Sequence, residues 1–230
     1  MPEERVLFKL PDRGWRNPGR VVMNLGGDPI LALERIAECY ELLAAERIEA
    51  FRSEDLHSAS HGYYGVYPIV FLYRQALELS LKAIIYAGDV LVVDLGETPI
   101  PQQQRNTHAL TPLFAEVCRI FAKLNGDAFW RFLGPPALTR TDLRALIGEF
   151  DSVDRGSYAF RYSITKNGTT LSLDCGFEFD LFAFAETMNA VLPGLRAAPG
   201  VIRDHMQARW ESAYEARQGA WADEEHECGE

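Results

Sequence analysis

The chain has no CxxC pair. Its four cysteines, Cys39, Cys118, Cys175 and Cys228, stand far apart. That spacing argues against a disulfide framework or a cysteine-held zinc site. Three of them lie in apolar surroundings and read as small core fillers. Positive charge is also scarce: 23 Lys and Arg face 33 Asp and Glu, a formal net charge of −10. A generic nucleic-acid or anionic-membrane coat is therefore disfavoured, although a local basic cleft is not. Much of the acidity sits at Asp223, Glu224, Glu225, Glu227 and Glu230, which read as a solvated tail. There is no Walker P-loop, no GxGxxG after a strand and no GxSxG elbow. No Cys/His pair stands out as nucleophile and base, and no Lys/Arg cluster with interleaved aromatics announces an RNA platform. The first residues carry acids and no long apolar run, unlike a signal peptide. Tyr67–Ala87 is long enough to span a membrane but carries three charges near its middle. The expectation is a cytoplasmic protein with no membrane association, no cofactor and no metal. Nothing repeats internally.

Of the 230 residues, 47% are hydrophobic, enough for one sizeable core. The most informative stretch is YPIVFLYRQALELSLKAIIYA, residues 67–87. It reads as a helix apolar on most of its circumference, which belongs inside a protein. Its polar groups are ordered: Arg74, Glu78 and Lys82 sit at i, i+4 and i+8, on one face. Such a ladder on a buried helix must meet other charges, water or a ligand.

Residues 1–27 read as an irregular segment, with a short strand at Val21–Asn24. Residues 28–222 read as a helical domain and 223–230 as the acidic tail. Asp28-Pro29 caps a helix to about Phe51. Its apolar positions include Ile30, Leu33, Ile36, Ala37, Tyr40, Leu43, Ala44 and Ile48. A polar connection, 52–64, precedes the ladder helix. Gly88 reads as that helix's C-cap. A long connection follows, with Val90–Val93 as a strand fragment. Thr111-Pro112 starts a helix to about Leu124, with Leu113, Phe114, Val117, Ile120, Phe121 and Leu124 inward. Thr141-Asp142 opens another through Phe150. Phe160–Thr165 and Thr169–Leu173 alternate around Lys166-Asn167-Gly168, the strongest short hairpin signal, so a β-hairpin is expected over about 158–174. Asp180 opens a helix to about Leu192, Pro193 and Pro199-Gly200 interrupt it, and a last helix runs over Val201–Ala222.

Four groupings carry candidate chemistry. The ladder Arg74/Glu78/Lys82 reads either as a polar seam facing a cleft or as internal ion pairing. In Asp151–Tyr162 (DSVDRGSYAFRY), Arg155 and Arg161 could bind phosphate or carboxylate bidentately. The alternative there is an Asp–Arg stapled turn. His57 and His61 have i, i+4 spacing, but no HExxH glutamate and no third ligand accompany them. His108 precedes a helix, where it caps or serves as an acid/base.

Phe71–Ile84 (FLYRQALELSLKAI), followed by Thr107-His108-Ala109-Leu110, resembles the HEPN superfamily of compact helical domains. Members carry a helix of the form RxAxExxLKA, here Arg74–Ala83, and a later tHxLxxL element, here Thr107–Leu113. The resemblance covers roughly residues 30–195 and implies a four- or five-helix bundle with an inserted hairpin. It also implies a prokaryotic toxin–antitoxin, abortive-infection or RNA-processing setting. Expected partners are RNA or a nucleotide, a partner protein such as a nucleotidyltransferase, and a second copy of the chain in a homodimer. Many members are metal-independent endoribonucleases with an Arg-x4–6-His motif. The positions here that approach it are Arg52/His57 and Arg105/His108. Arg52 and His57 precede the presumed core helix, and His108 follows Arg105 too closely for the motif. Other members bind nucleotides, RNA or proteins without catalysis. The leading expectation is a HEPN-like binding or regulatory module, with Arg74, Glu78, Lys82, Arg155 and Arg161 as binding residues. An endoribonuclease using Arg52, His57, Arg105 or His108 is the alternative, and a non-catalytic helical scaffold is the third reading.

Overall fold

A computed structural model describes residues 27–53, 59–124, 130, 139–162, 172–173 and 178–227, with the side chains of 59–63 and 219–227 outside that description. Among the described residues six helices carry the fold: α1 (Pro29–Ser53), α2 (Ala59–Asp94), α3 (Gln102–Arg105), α4 (Leu110–Lys123), α5 (Arg140–Asp154) and α6 (Leu181–Glu227). The chain is a mainly α helical bundle. Helix α2 is its centre, packed against α1, α4 and α6. Ala76, Leu77, Leu81, Ala83, Ile84 and Ile85 all lie within 1% of complete burial. Among the described residues no helix is long and apolar enough to cross a membrane.

Local chemistry explains the helix starts. Asp28 accepts the Ile30 N–H at 2.8 Å ahead of α1. Asp180 accepts the Phe182 and Ala183 N–H groups at 2.9 and 3.0 Å ahead of α6. Thr139 and Asp142 close a reciprocal capping box on α5, so the helix begins at Arg140, one residue earlier than Thr141-Asp142 suggests. The N-terminus of α4 is capped from elsewhere. Ala109 has no side chain to offer, and the Asp151 carboxylate accepts the N–H of Leu110 at 2.9 Å and of Thr111 at 2.7 Å.

Several expectations are corrected. Helix α2 begins at Ala59 and runs through Gly88 to Asp94, so Gly88 is no C-cap and Val90–Val93 is helix. The glycine is there for contact: a Cβ on it would meet Ile120 Cδ1 at 2.4 Å and Cγ1 and Cγ2 at 2.7 Å. Pro193 and Pro199 do not divide α6, which continues through both. Each proline forgoes one backbone donor, while Leu192, Leu195, Ala198, Ile202 and Met206 continue one buried stripe past them. Ile36 and Leu43, expected inward, are about half exposed at 48% and 52%. Cys118 is half-buried, but Cys39 is exposed rather than a core filler. No strand occurs among the described residues. The first expected arm of the hairpin begins instead as a turn, with the Arg161 and Tyr162 N–H groups both donating to the Tyr158 carbonyl. The rest of that hairpin over 163–171, the N-terminal strand at 21–24, His57 and the last residues of the acidic tail lie outside the described residues.

Candidate functional site

The ladder on α2 is buried as few charges are. Arg74 is wholly inaccessible and Glu78 is 2% exposed. A buried charge must be paired and hydrogen-bonded to persist, and each polar arm of Arg74 has a partner. Its Nη1 donates to Glu78 Oε2 at 2.9 Å, its Nη2 to the His108 carbonyl at 2.7 Å and its Nε to the Asp154 carbonyl at 3.2 Å. The Asp154 carboxylate lies 3.6 Å from Nε and is itself 98% buried as a side chain. One residue therefore joins α2, the approach to α4 and the end of α5.

Glu78 collects the other half of the seam. Its Oε1 accepts from Lys82 Nζ at 2.9 Å and meets His108 Nδ1 at 2.9 Å. A carboxylate only accepts, so this contact requires a proton on Nδ1, and in the neutral ring Nε2 is then the acceptor. The His108 side chain is 60% exposed, while Glu78 behind it is buried. Burial pushes the Glu78 carboxyl up, but Lys82, His108 and Arg74 together outweigh it and hold the group below its ordinary value. The result is a surface imidazole oriented by an interior carboxylate, with the Lys82 ammonium on the same oxygen.

Asp154 closes the cluster from behind. Its Oδ1 accepts the N–H groups of Tyr158 and Ala159, while Oδ2 has no hydrogen-bond partner among the described atoms. The turn it organises places Ser157 in the left-handed region, φ 55°. There Ser157 Oγ accepts from Gln75 Nε2 at 2.7 Å. Arg161 is exposed. It donates from Nε to the Ser157 carbonyl and lies 5.7 Å from the Phe71 ring centroid. Asp151–Tyr162 is thus largely a stapled turn, but Asp154 staples it to Arg74 rather than to Arg155 or Arg161. Arg155 is exposed at the C-cap of α5.

The structure brings Arg74, Glu78, Lys82 and His108 together, while Arg105 and Arg52 find other partners. Arg105 donates to Asp89 Oδ2 at 2.8 Å and lies over the Tyr86 ring. Asp89 and Glu78, the partners of Arg105 and His108, are separated by roughly 16 Å along α2 at 1.5 Å per residue. The two side chains therefore do not converge as a pair. Arg52, at the end of α1, pairs with Glu49 at 3.0 Å and Glu186 at 3.5 Å and covers the Phe182 ring. It borders an open groove of about 630 Å³ between α1 and α6. His57 lies outside the described residues. Among the described residues no group of three or more His, Cys, Asp or Glu is placed to hold a metal ion.

Asp154, Gln75, Ser157 and Asp89 complete these networks, and the ladder's spacing does not reveal them. One signal was available: Asp151 and Asp154 both lie in the last turn of α5, where the helix dipole disfavours acids. Both serve other elements, Asp151 as the cap of α4 and Asp154 as the partner of Arg74. In comparisons with known proteins, no family model, no curated protein and no solved structure matches the chain.

Proposed function

We propose that the chain is a HEPN-like binding or regulatory module of a prokaryotic defence or toxin–antitoxin system, with His108 and Lys82 as its ligand-facing groups. One observation carries this reading. The two stretches that resemble the family meet, Glu78 of Arg74–Ala83 holding His108 of Thr107–Leu113. Arg74, with no accessible surface, touches no ligand and acts as a positioning residue. Glu78 fixes the imidazole tautomer, and Lys82 supplies a partly accessible cation beside it. The Lys82 ammonium suits an anionic group and an exposed imidazole beside it suits a hydroxyl or N–H donor, a pairing that RNA or a nucleotide offers.

The test is binding of single-stranded RNA, structured RNA and nucleotides, with and without EDTA, to the wild type and to His108→Ala and Lys82→Ala. The expected result is binding weakened about tenfold by either change, equivalent to roughly 1.4 kcal/mol, measured at a temperature where circular dichroism shows each variant folded. Binding that ignores both substitutions, or none across the panel, removes the basis of the reading. The arrangement that orients Nε2 also fits a general base, which favours the endoribonuclease as the second reading. Metal-independent cleavage lost in His108→Ala would establish it over simple binding.

A further inference from the structure

The contact between Glu78 and His108 sets up a nucleophile as well as a binding group. Glu78 Oε1 holds the proton of His108 Nδ1 at 2.9 Å, so in the neutral ring the Nε2 lone pair is the one left to react. The backbone of the same residue is tied down too, its carbonyl accepting from Arg74 Nη2 at 2.7 Å. His108 is thus held at both its main chain and its ring, while its side chain stays 60% exposed.

A cation stands beside it. Lys82 Nζ donates to the same Glu78 oxygen at 2.9 Å. Nζ and Nδ1 are therefore no farther apart than two such bonds laid end to end. The start of α4, just after His108, does not supply positive charge of its own, because the Asp151 carboxylate takes the Leu110 and Thr111 N–H groups. A preset imidazole lone pair, a carboxylate behind it for the imidazolium that forms, and an ammonium for the incoming anion together suit phosphoryl transfer to histidine. His205 on α6 gives the contrast. It is exposed as well, but no hydrogen bond or ion pair orients its ring among the described residues.

We infer that His108 is a phosphoryl acceptor, modified on Nε2 by a donor of the phosphoramidate or acyl-phosphate class. With phosphoramidate, the Nε2 lone pair forms the new N–P bond. The donor's own P–N bond breaks, and ammonia leaves with that electron pair. The ring becomes an N-phosphorylated imidazolium whose Nδ1 proton stays in the hydrogen bond to Glu78. No oxidant or reductant takes part. The product sets a phosphoryl dianion beside Lys82, where it competes with any other anion for that cation. This last consequence rests on the binding reading above, whereas the acceptor role rests on the seam's geometry alone.

The test is incubation of the full chain with potassium phosphoramidate at about pH 8, above the ordinary imidazole value, with no RNA or nucleotide present. Mass spectrometry without acid follows labelling at each of the five histidines, and phosphorus–nitrogen NMR correlation identifies the ring nitrogen. His108 should be labelled at least tenfold faster than His205, and on Nε2. Glu78→Gln and Lys82→Ala should each slow labelling of His108 at least threefold and leave His205 unchanged, with circular dichroism showing each variant folded. Labelling of His108 no faster than of His205, attachment at Nδ1, or a His108 rate that either substitution leaves unchanged overturns the inference. RNA and nucleotides are absent from this readout, so its failure is distinguishable from failure of the binding reading.

Discussion

Replacing Arg74 with methionine keeps most of the buried stem and removes the charge. Three acceptors then lose a donor: Glu78 Oε2, the His108 carbonyl and the Asp154 carbonyl. Two carboxylates, Glu78 and Asp154, stay in the interior without their shared cation. Breaking a buried pair by removing one partner costs about 3–5 kcal/mol. Glu78 retains Lys82 and His108, and Asp154 retains two backbone N–H groups, which hold the loss within that range. A domain of ordinary stability has about 5–15 kcal/mol in total, so the effect is large in urea denaturation at pH 7. The Arg74→Met/Glu78→Gln double variant should lose less than the sum of the singles, by about 0.5–3 kcal/mol. A loss below about 1 kcal/mol for Arg74→Met would equal that of an exposed pair. It would refute the claim that Arg74 is the keystone of the seam.

Acidity probes the same network. The folded Glu78 carboxyl titrates below its ordinary value of 4.5. A depressed pKa gives stability that is present above the unfolded value and lost as pH falls through the folded one. The stability gap between wild type and Glu78→Gln should therefore be constant near neutrality and shrink below pH 4.5; a gap that widens there contradicts the pairing. Gly88→Ala gains about 1 kcal/mol in helix propensity but forces a Cβ into three atoms of Ile120. Overpacking of about 1–3 kcal/mol wins, so the variant should melt lower than wild type and Ile120→Ala in the same chain should relieve part of the loss. Asp151→Ala strips the cap from α4 and should cost about 1–2 kcal/mol by urea denaturation, with exchange of the Leu110 and Thr111 amides accelerated.

Local signals in the sequence carried much of the fold. All six apolar positions assigned inward on α4 are buried, and Asp28 and Asp180 cap helices where a short acceptor precedes an apolar period. Tertiary packing decided the rest. Gly88 reads as a stop until Ile120 is known to lie against it, and two prolines read as breaks until the buried stripe of α6 is seen to pass them. Asn167-Gly168 is a strong local turn signal, yet the described edge of that segment at Tyr158–Tyr162 is a turn built on Asp154. The seam was half legible. The i, i+4, i+8 spacing placed Arg74, Glu78 and Lys82 on one face, and a nearby helix start singled out His108. Spacing along a chain carries no information about which carboxylate each cation finds. Arg105 went to Asp89, Arg52 to Glu49 and Glu186, and Arg74 to an aspartate eighty residues away.

The account turns on His108 being held by Glu78 through Nδ1. Nitrogen-detected NMR of the imidazole at neutral pH measures this directly, with His108→Asn assigning the signal. The seam predicts a proton on Nδ1 held by Glu78 Oε1, and loss of that preference in Glu78→Gln. A ring protonated on Nε2 alone, or a spectrum that Glu78→Gln leaves unchanged, would contradict it.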